Sequence, residues 1–241
     1  MPDEDLYVAG LAVAVTDQPN YLPVSTLDPD DDYLQLAHSM ATLTGVPANC
    51  LTIRADDGAT DFGLRALRDL GAPGPAEPLY LVRSGPVPDS YVAVLAWLVQ
   101  ELGWPGEDTG ITHLDEAGGT AVFDLLDWST PAAGRATALI MDEPLFTDAR
   151  TGPVVASAVA VRVSRGAGPF RVLGWGEGEP AAACAGHDFA GTGPCAGWLD
   201  LYAAAKAGRL RARDRVLVRA AGGARAGWVL LEVAPEGKAG R

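Results

Sequence analysis

Apolar residues form two kinds of pattern along the chain: short continuous runs, and longer stretches with one apolar face at helical spacing. Continuous or largely apolar segments of strand length lie at 6–15, 79–82, 136–141, 154–163 and 170–175, and shorter segments that alternate apolar with polar or small residues, also predicted as strands, lie at 110–114, 215–219 and 227–233. Aliphatic and β-branched runs of this length are typical of buried strands. Helical periodicity covers 33–44, 60–70, 88–102, 115–127 and 196–207. Strands that alternate with helices predict an α/β fold with a largely central sheet.

Turn-forming residues separate these segments. Proline and aspartate are frequent at 17–32, which predicts a loop, and residues 73–75 (Pro-Gly-Pro) predict a short linker. Glycine, alanine and proline dominate 176–194, which predicts an irregular connection. Asp115 stands at the start of the 115–127 helix and is predicted to be its N-cap.

A weak internal repeat relates two of the helices. Residues 117–119, a helix and the run 138–140 align without gaps with 195–197, a helix and the run 216–218. Both units place small residues at a helix N-terminus beside a strand. Small residues there let backbones approach closely, and the helix dipole favours negative charge.

Composition and the two chain ends point to an ordinary globular protein. Apolar residues make up 48% of the 241 residues and charged residues 20%, which is the usual balance for one large or two small domains. The acidic N-terminus lacks the basic start of a secretory signal. No apolar run reaches the roughly 18 residues of a membrane helix. We therefore expect a soluble, cytoplasmic protein.

Charge is distributed unevenly over a chain whose net charge is −13. Residues 1–160 hold 6 Lys+Arg against 24 Asp+Glu, and residues 161–241 hold 12 against 7. The acidic majority excludes nucleic acid and anionic membranes as expected partners, because both bind basic surfaces. The basic part includes Arg209, Arg211, Arg213, Arg215 and Arg219. A solvated helix end and strand edge would explain them, and a docking patch for an acidic partner is the alternative.

The cysteines are too few and too scattered for a disulfide framework. Cys184, His187 and Cys195 lie close together in sequence, and Cys50 lies far away. Zinc usually takes four ligands, and no fourth partner stands out. We therefore expect neither a metal nor a cofactor.

The order of motifs in the second half of the chain resembles a known family. A Gly208-Arg209 turn, the run 215–219, a Gly222-Gly223 loop and the run 227–233 follow the 196–207 helix. Upstream, the run 79–83 precedes the 88–102 helix, and 110–126 reads as a strand followed by a helix. This order is similar to that of the ketoacyl-ACP synthase III branch of the thiolase superfamily. The resemblance implies a thiolase-like α/β fold with a complete N-terminal half, 1–175, and a truncated C-terminal half, 176–241, in one compact domain.

The departures from the family pattern concern its catalytic residues. Family members carry a nucleophilic cysteine at the start of the central helix, and a histidine and an asparagine from the second half. Ala117 aligns with the nucleophile, and Gly191, followed by Thr192, aligns with the asparagine. The region that supplies the histidine is almost wholly absent. Because a methyl group cannot form a thioester, the resemblance implies that the condensing chemistry is lost.

Residues around Ala117 offer replacement chemistry and also have structural explanations. Asp115 and Glu116, with His113, suggest an acid–base site. A helix cap and a first-turn carboxylate would equally explain Asp115 and Glu116. Cys195, at the repeat-equivalent position of Ala117, is either a displaced nucleophile or a small buried residue.

Two further candidates lie at other element ends. His187 is two residues from the position aligned with the family's histidine and is interpreted as a loop residue. Asp142 and Glu143 follow the 136–141 strand, where carboxylates are either catalytic or structural.

The resemblance favours a non-catalytic, ketosynthase-like partner subunit of a type II polyketide or fatty-acid-like synthase. Chain-length factors of that family are such subunits: they complete a heterodimer and shape the acyl pocket of the active ketosynthase. The implied partners are an active ketosynthase subunit and an acyl carrier protein. Two alternatives remain, an acyltransferase or decarboxylase with rebuilt chemistry and a homodimeric acyl-binding scaffold.

The predicted interface is the 110–114 strand with the start of the next helix. Ile111, Thr112 and Leu114 are placed on the strand, and Gly118 and Gly119 are too small to cover the helix start. An uncovered strand edge invites aggregation, so a partner is expected there.

Overall fold

The computed structural model describes residues 5–16, 21–29, 32–54, 60–83, 92–112, 114–151, 155–180, 185–220 and 225–235. The strands are β1 Leu6–Thr16, β2 Tyr21–Pro23, β3 Leu51–Arg54, β4 Leu79–Arg83, β5 Asp108–Ile111, β6 Arg135–Asp142, β7 Phe146–Asp148, β8 Ala156–Arg165, β9 Phe170–Glu177, β10 His187–Gly191, β11 Arg215–Ala220 and β12 Gly227–Val233. The helices are α1 Asp32–Thr44, α2 Thr60–Leu70, α3 Val92–Leu102, α4 Gly118–Ser129 and α5 Ala196–Lys206.

Nine of these strands form one mixed sheet, in the order β10-β11-β12-β9-β1-β8-β6-β4-β5. β4 runs parallel to β5 and β6, and β10 runs parallel to β11. The other neighbouring pairs are antiparallel. Parallel neighbours occur where a helix connects the strands, because a parallel pair needs a crossover connection.

The sheet divides into two halves with related strand patterns. Four strands correspond between the halves. The second half has β11, β12 and β9 where the first half has β6, β8 and β1, and β10 lies beside β11 as β4 lies beside β6. Only two residue pairs join the halves, Tyr7 with Arg171 and Val8 with Phe170. In the described part of the chain, the second half has no counterpart of β5 and is one strand shorter.

Two central helices lie between the halves. Phe123 and Leu126 of α4 and Trp198 and Leu201 of α5 are buried in one core with the inner faces of both halves. The rings of Phe123 and Trp198 stack with centroids 5.6 Å apart. Trp198 Nε1 donates to the carbonyl oxygen of Gly119 at 2.8 Å. Burial of one such side chain contributes about 1.5–3 kcal/mol, so this core holds the start of α4 against α5.

The outer faces of the two halves differ. On the first half, Phe62 and Leu67 of α2 and Leu98 of α3 pack in one core with Leu139 and Met141 of β6. No described helix contributes to the outer face of the second half. Since Val216 and Val218 face the central core, the alternate residues of β11 face outward. There Arg219 pairs with Asp188 at 2.6 Å, and such charged pairs suit a sheet face that meets water.

A second, three-stranded sheet of β2, β3 and β7 packs against α1. Leu51, Ile53 and Phe146 form its buried side with Ala37 of α1. The loop prediction for 17–32 is wrong at β2, and β3 and β7 were not predicted. Strands of three or four residues are too short for a periodic signal, so only pairing with distant segments defines them.

Other predicted boundaries also change. Thr112 and Leu114 lie beyond the end of β5, because the strand pairs with β4 only from Asp108 to Ile111. Within the connection predicted at 176–194, the structure places the end of β9 and the whole of β10. His187 is therefore a strand residue and not a loop residue. By its pairing with β12, β9 groups with the second half. The segments 88–91 and 181–184 lie outside the described residues.

One buried ionic network ties the outer layer of the first half to its sheet. The Glu77 Oε1 atom accepts from Arg162 Nε at 2.8 Å and from Thr137 Oγ1 at 2.5 Å. Its Oε2 atom accepts from the Gly74 amide at 2.7 Å. Arg162 also donates to the carbonyl oxygens of Leu70 and Gly71, at 3.2 and 3.0 Å. The carboxylate therefore joins β6, β8 and the segment after α2.

Candidate functional site

The starts of α4 and α5, which belong to the two units of the internal repeat, meet between the two halves of the sheet. A Cβ atom at Gly119 would overlap the carbonyl oxygen of Pro194, which precedes α5. A Cβ atom at Gly118 would lie 2.9 Å from Cγ1 of Val82 on β4. Only glycine allows these approaches. The close contact between the two helix starts therefore depends on Gly119, and Gly118 lets the start of α4 approach β4.

Ala117, which the resemblance aligns with the family's nucleophile, is the N-cap of α4 and is 0% exposed. The helix has no side-chain cap, and residues 115–117 form a 3₁₀ turn before it. The prediction that Asp115 caps this helix is therefore wrong, since the α-helix begins three residues later. Glu116 is half-buried in the same turn, and His113 lies outside the described residues. The position in line with the helix dipole thus holds a methyl group.

Cys195 occupies the equivalent N-cap position of α5. Its side chain is 0% exposed. The Sγ atom lies 3.4 Å from the carbonyl oxygen of Ile140 and 3.7 Å from that of Ser157. Burial raises the pKa of the Cys195 thiol well above its usual value, and the nearby negative charge of Asp142 raises it further. Since the thiolate is the reactive form, this geometry disfavours Cys195 as a nucleophile.

We expect Cys195 to resist alkylation in the folded protein. Iodoacetamide at pH 8 should modify Cys50, which is partly exposed, before Cys195. Peptide mass spectrometry after a time course gives the two rates, and the same reaction in denaturant is the control in which both cysteines react. Equal rates for Cys50 and Cys195 in the native protein would contradict the burial argument.

Asp142, the last residue of β6, lies against the start of α5. A Cβ atom at Gly193 would overlap its Oδ2 atom, and Gly193 has φ +89°, a conformation that favours glycine. The N-terminus of a helix attracts negative charge. The chain's own carboxylate therefore lies at the place where the second central helix would otherwise favour a bound anion.

Glu143 forms a buried ionic cluster with Arg54 at the end of β3 and Arg83 at the end of β4. The three side chains are 2%, 4% and 7% exposed, respectively. Tyr21 adds a hydrogen bond from its hydroxyl to the carbonyl oxygen of Pro144, at 2.5 Å. This cluster joins the small sheet to the main sheet beside the start of α4. The sequence indicates the strand-end position of Glu143, but its arginine partners are 60 and 89 residues away.

The residues aligned with the family's asparagine segment lie at the end of β10 and just after it. Gly191 is half-buried beside Ala196 of α5, and Thr192 is exposed. His187, at the other end of β10, lies with Nε2 3.1 Å from Asp214 Oδ2. His187 thus belongs to the opposite end of the strand, and the structure does not bring it to Ala117. Cys184 lies outside the described residues, and no group of three metal-ligating side chains occurs among the others.

The predicted interface residues separate into two groups. β5 ends the large sheet, with Asp108, Thr109 and Gly110 exposed and Ile111 half-buried. Gly118 and Gly119 are buried within the chain. The expectation that these two glycines lack cover is wrong, because Val82 and Pro194 cover them. Among the described strands, β5 is the free edge at this place.

The two related sheet halves around two central helices define a thiolase-like α/β fold. Solved structures match it over nearly the whole chain, and three are representative. ChlB3, described as an acyltransferase, has a TM-score of 0.67 at 15% identity, with 96% of this chain and 98% of that chain covered. OleA of Xanthomonas campestris with cerulenin bound gives 0.59 at 15%, covering 96% and 100%. OleA with lauric acid and lauroyl-CoA gives 0.58 at 13%, covering 95% and 99%.

These likenesses concern the fold. No family model matches this sequence, and no curated protein sequence matches it. Among the helices of the described ranges, none has both the length and the apolar character needed to cross a membrane.

Proposed function

We propose that this chain is a cytoplasmic, non-catalytic subunit that pairs with an active ketosynthase of a type II polyketide or fatty-acid-like synthase and helps to shape its acyl pocket. The observation that carries the proposal is Ala117. In the resembled family the nucleophile stands where the dipole of the central helix stabilises a thiolate. Here the corresponding position at the start of α4 is buried, but its side chain is the methyl group of Ala117.

The surroundings of Ala117 support the loss of chemistry. Cys195 is buried with a raised pKa, so it does not replace the missing thiolate. Asp142 brings a carboxylate to the start of α5. A carboxylate oxygen there is an acceptor, whereas a condensation needs hydrogen-bond donors for its enolate and oxyanion. The site would then keep the frame of a condensing enzyme without its nucleophile.

A role as a subunit is supported by the edge strand β5. Three of its four residues are exposed, and its outer edge has no neighbour among the described strands. Natural proteins cover or block such edges, since unpaired N–H and C=O groups invite association. Pairing with a second subunit would cover this edge and would bring the partner beside the start of α4.

Intact-mass analysis after incubation with malonyl- and acyl-thioesters tests the missing chemistry. We expect the chain to remain unmodified. The matched variant is Ala117→Cys: an acyl adduct on it would show that only the nucleophile is missing, and no adduct would show that the buried position excludes the substrate or keeps the thiol protonated. This comparison separates a missing nucleophile from a substrate that never reaches the site.

A saturable adduct on any cysteine of the unaltered chain would overturn the proposal. It would favour the alternative of an acyltransferase with rebuilt chemistry, the activity named for ChlB3. An unmodified chain that purifies as a stable homodimer and ignores every ketosynthase offered would instead favour an acyl-binding scaffold.

A further inference from the structure

Four arginines project from the segment that connects α5 to β11. Arg209, Arg211, Arg213 and Arg215 are all exposed, and we call residues 209–215 the arginine turn. It follows the C-terminus of α5, whose 11 residues span about 16 Å at 1.5 Å per residue. The arginine turn therefore lies at the opposite end of α5 from Cys195 and the degenerate site.

Hydrogen bonds hold this segment in one conformation. Asp214 Oδ2 accepts from the Arg211 amide at 2.8 Å and lies 3.1 Å from His187 Nε2. The bond from the Arg211 amide, followed by the bond with His187, keeps the pKa of Asp214 below its usual value. The Arg213 amide donates to the carbonyl oxygen of Val233 at 2.8 Å, and the Val233 amide to that of Asp214 at 2.9 Å. The arginines thus stand on a segment fixed to β10 and β12.

Arg213 has an unusual backbone. Its φ is +70°, in the left-handed region where a side chain is unfavourable and glycine is the usual residue. Non-glycine residues held there cost about 1–3 kcal/mol, and such strain is frequent at functional sites. An arginine at this position therefore makes the folded state less stable than a glycine would.

The four side chains have no ion-pair partner among the described residues. The neighbouring arginines of the second half behave differently. Arg171 pairs with Asp5, Arg219 with Asp188 and Arg225 with Glu177. Asp214 is the acidic residue within the arginine turn and interacts electrostatically with Arg211, so the four arginines leave this segment with a net positive charge in a chain of net charge −13.

We propose that the arginine turn is a docking surface for an acidic segment of another protein, one that presents several carboxylates on a helix or loop. Guanidinium groups bind carboxylates through two parallel N–H···O bonds, and a fixed segment loses little freedom on binding. The surface is distinct from the β5 edge, and the inference does not rest on the proposed function.

Nucleic acid and membrane fit the surface less well. The exposed large apolar residues of the described chain, such as Trp97 and Trp128, lie on other elements. The arginine turn therefore offers neither an aromatic platform for bases nor an apolar anchor for lipid.

Fluorescence anisotropy with a labelled, glutamate-rich helical peptide tests the proposal. We expect binding that weakens as salt rises, because the contacts are exposed ion pairs. Arg211→Glu should weaken binding by about fivefold, which corresponds to the upper end of the range for the loss of one exposed pair. The matched control is Arg135→Glu, an exposed arginine at the start of β6, which should leave binding unchanged.

Arg213→Gly tests whether an effect on peptide binding can occur without a loss of folding stability. The variant should bind the peptide more weakly and have a melting temperature no lower than the original chain, because glycine accepts the left-handed conformation. Equal effects of Arg211→Glu and Arg135→Glu would overturn the proposal. Tighter binding to phosphatidylserine vesicles or to an RNA oligonucleotide than to the peptide would overturn it as well.

Discussion

Replacement of Arg162 by methionine is expected to lower the free energy of unfolding by about 3–5 kcal/mol. The Glu77 side chain is 1% exposed and that of Arg162 7%. Methionine fills a similar volume but leaves the buried carboxylate without its cation. It also removes the donors to the carbonyl oxygens of Leu70 and Gly71. Urea unfolding followed by circular dichroism measures the loss, and an unchanged slope against denaturant would show that the folded state remains compact.

Arg68→Met is the matched control, because Arg68 pairs with Glu101 where both side chains are about half exposed, 53% and 45%. Arg68→Met should lower the free energy of unfolding by at most about 1 kcal/mol. Glu77→Gln combined with Arg162→Met removes both charges, keeps the acceptor for Thr137, and should recover most of the loss. If the two single arginine variants lost the same small amount, the burial of Glu77 would not depend on Arg162.

Lysine at Thr109 is expected to weaken the complex with a co-expressed active ketosynthase by at least about 100-fold, because a buried unpaired charge costs several kcal/mol. Thr109 is exposed in the middle of β5, whose outer edge is the predicted contact. The substitution leaves the interior of this chain unaltered. Co-purification followed by surface plasmon resonance gives the change in affinity.

Thr42→Lys on α1 is the matched control, since Thr42 is exposed on the small-sheet side of the molecule. It should bind as the original chain does. Ile111→Glu is a poorer test, because Ile111 packs against the central core and a charge there disturbs this chain's own folding. If Thr109→Lys and Thr42→Lys co-purified equally well, the interface would be elsewhere, and the subunit proposal would lose its structural support.

The two expected results have different causes and fail independently. The Arg162 variant tests whether a buried ion pair inside the first half is needed for folding. The Thr109 variant tests whether the free edge of the same half is needed for association. If the chain is stable but does not associate with a ketosynthase, the fold would still hold, and the acyltransferase and scaffold alternatives would be favoured as its function.

The order of long strands and helices could be predicted from sequence because their signal is local. β6 and β8 are largely apolar segments with nearly every residue buried, which is typical of a strand that is covered on both faces. Phe62 and Leu67 mark the buried face of α2 by spacing alone. The repeat of small residues at 117–119 and 195–197 indicated two helix starts that allow close backbone approach, and the structure brings them into contact.

The short elements could not be predicted because their stability is not local. β3 and β7 pair across 95 residues, as in the hydroxyl contact between Thr52 and Thr147 at 2.7 Å. β10 has glycine and alanine among its 5 residues, so its composition resembles a loop. Only pairing with β11 makes it a strand. Likewise, β5 ends at Ile111 because β4 ends beside it, which the apolar run to Leu114 does not reveal.

The sequence by itself determined that residue 117, which the resemblance aligns with the family's nucleophile, is alanine, that small residues recur at two predicted helix starts, and that predicted strands alternate with predicted helices. Those statements need only residue identity and spacing. The tertiary structure alone decided that Cys195 is buried, that Asp142 lies against Gly193, and that Glu143 binds two arginines. Each of these depends on atoms brought together from distant segments, and burial and neighbouring charge, which set the reactivity of a side chain, exist only after that assembly.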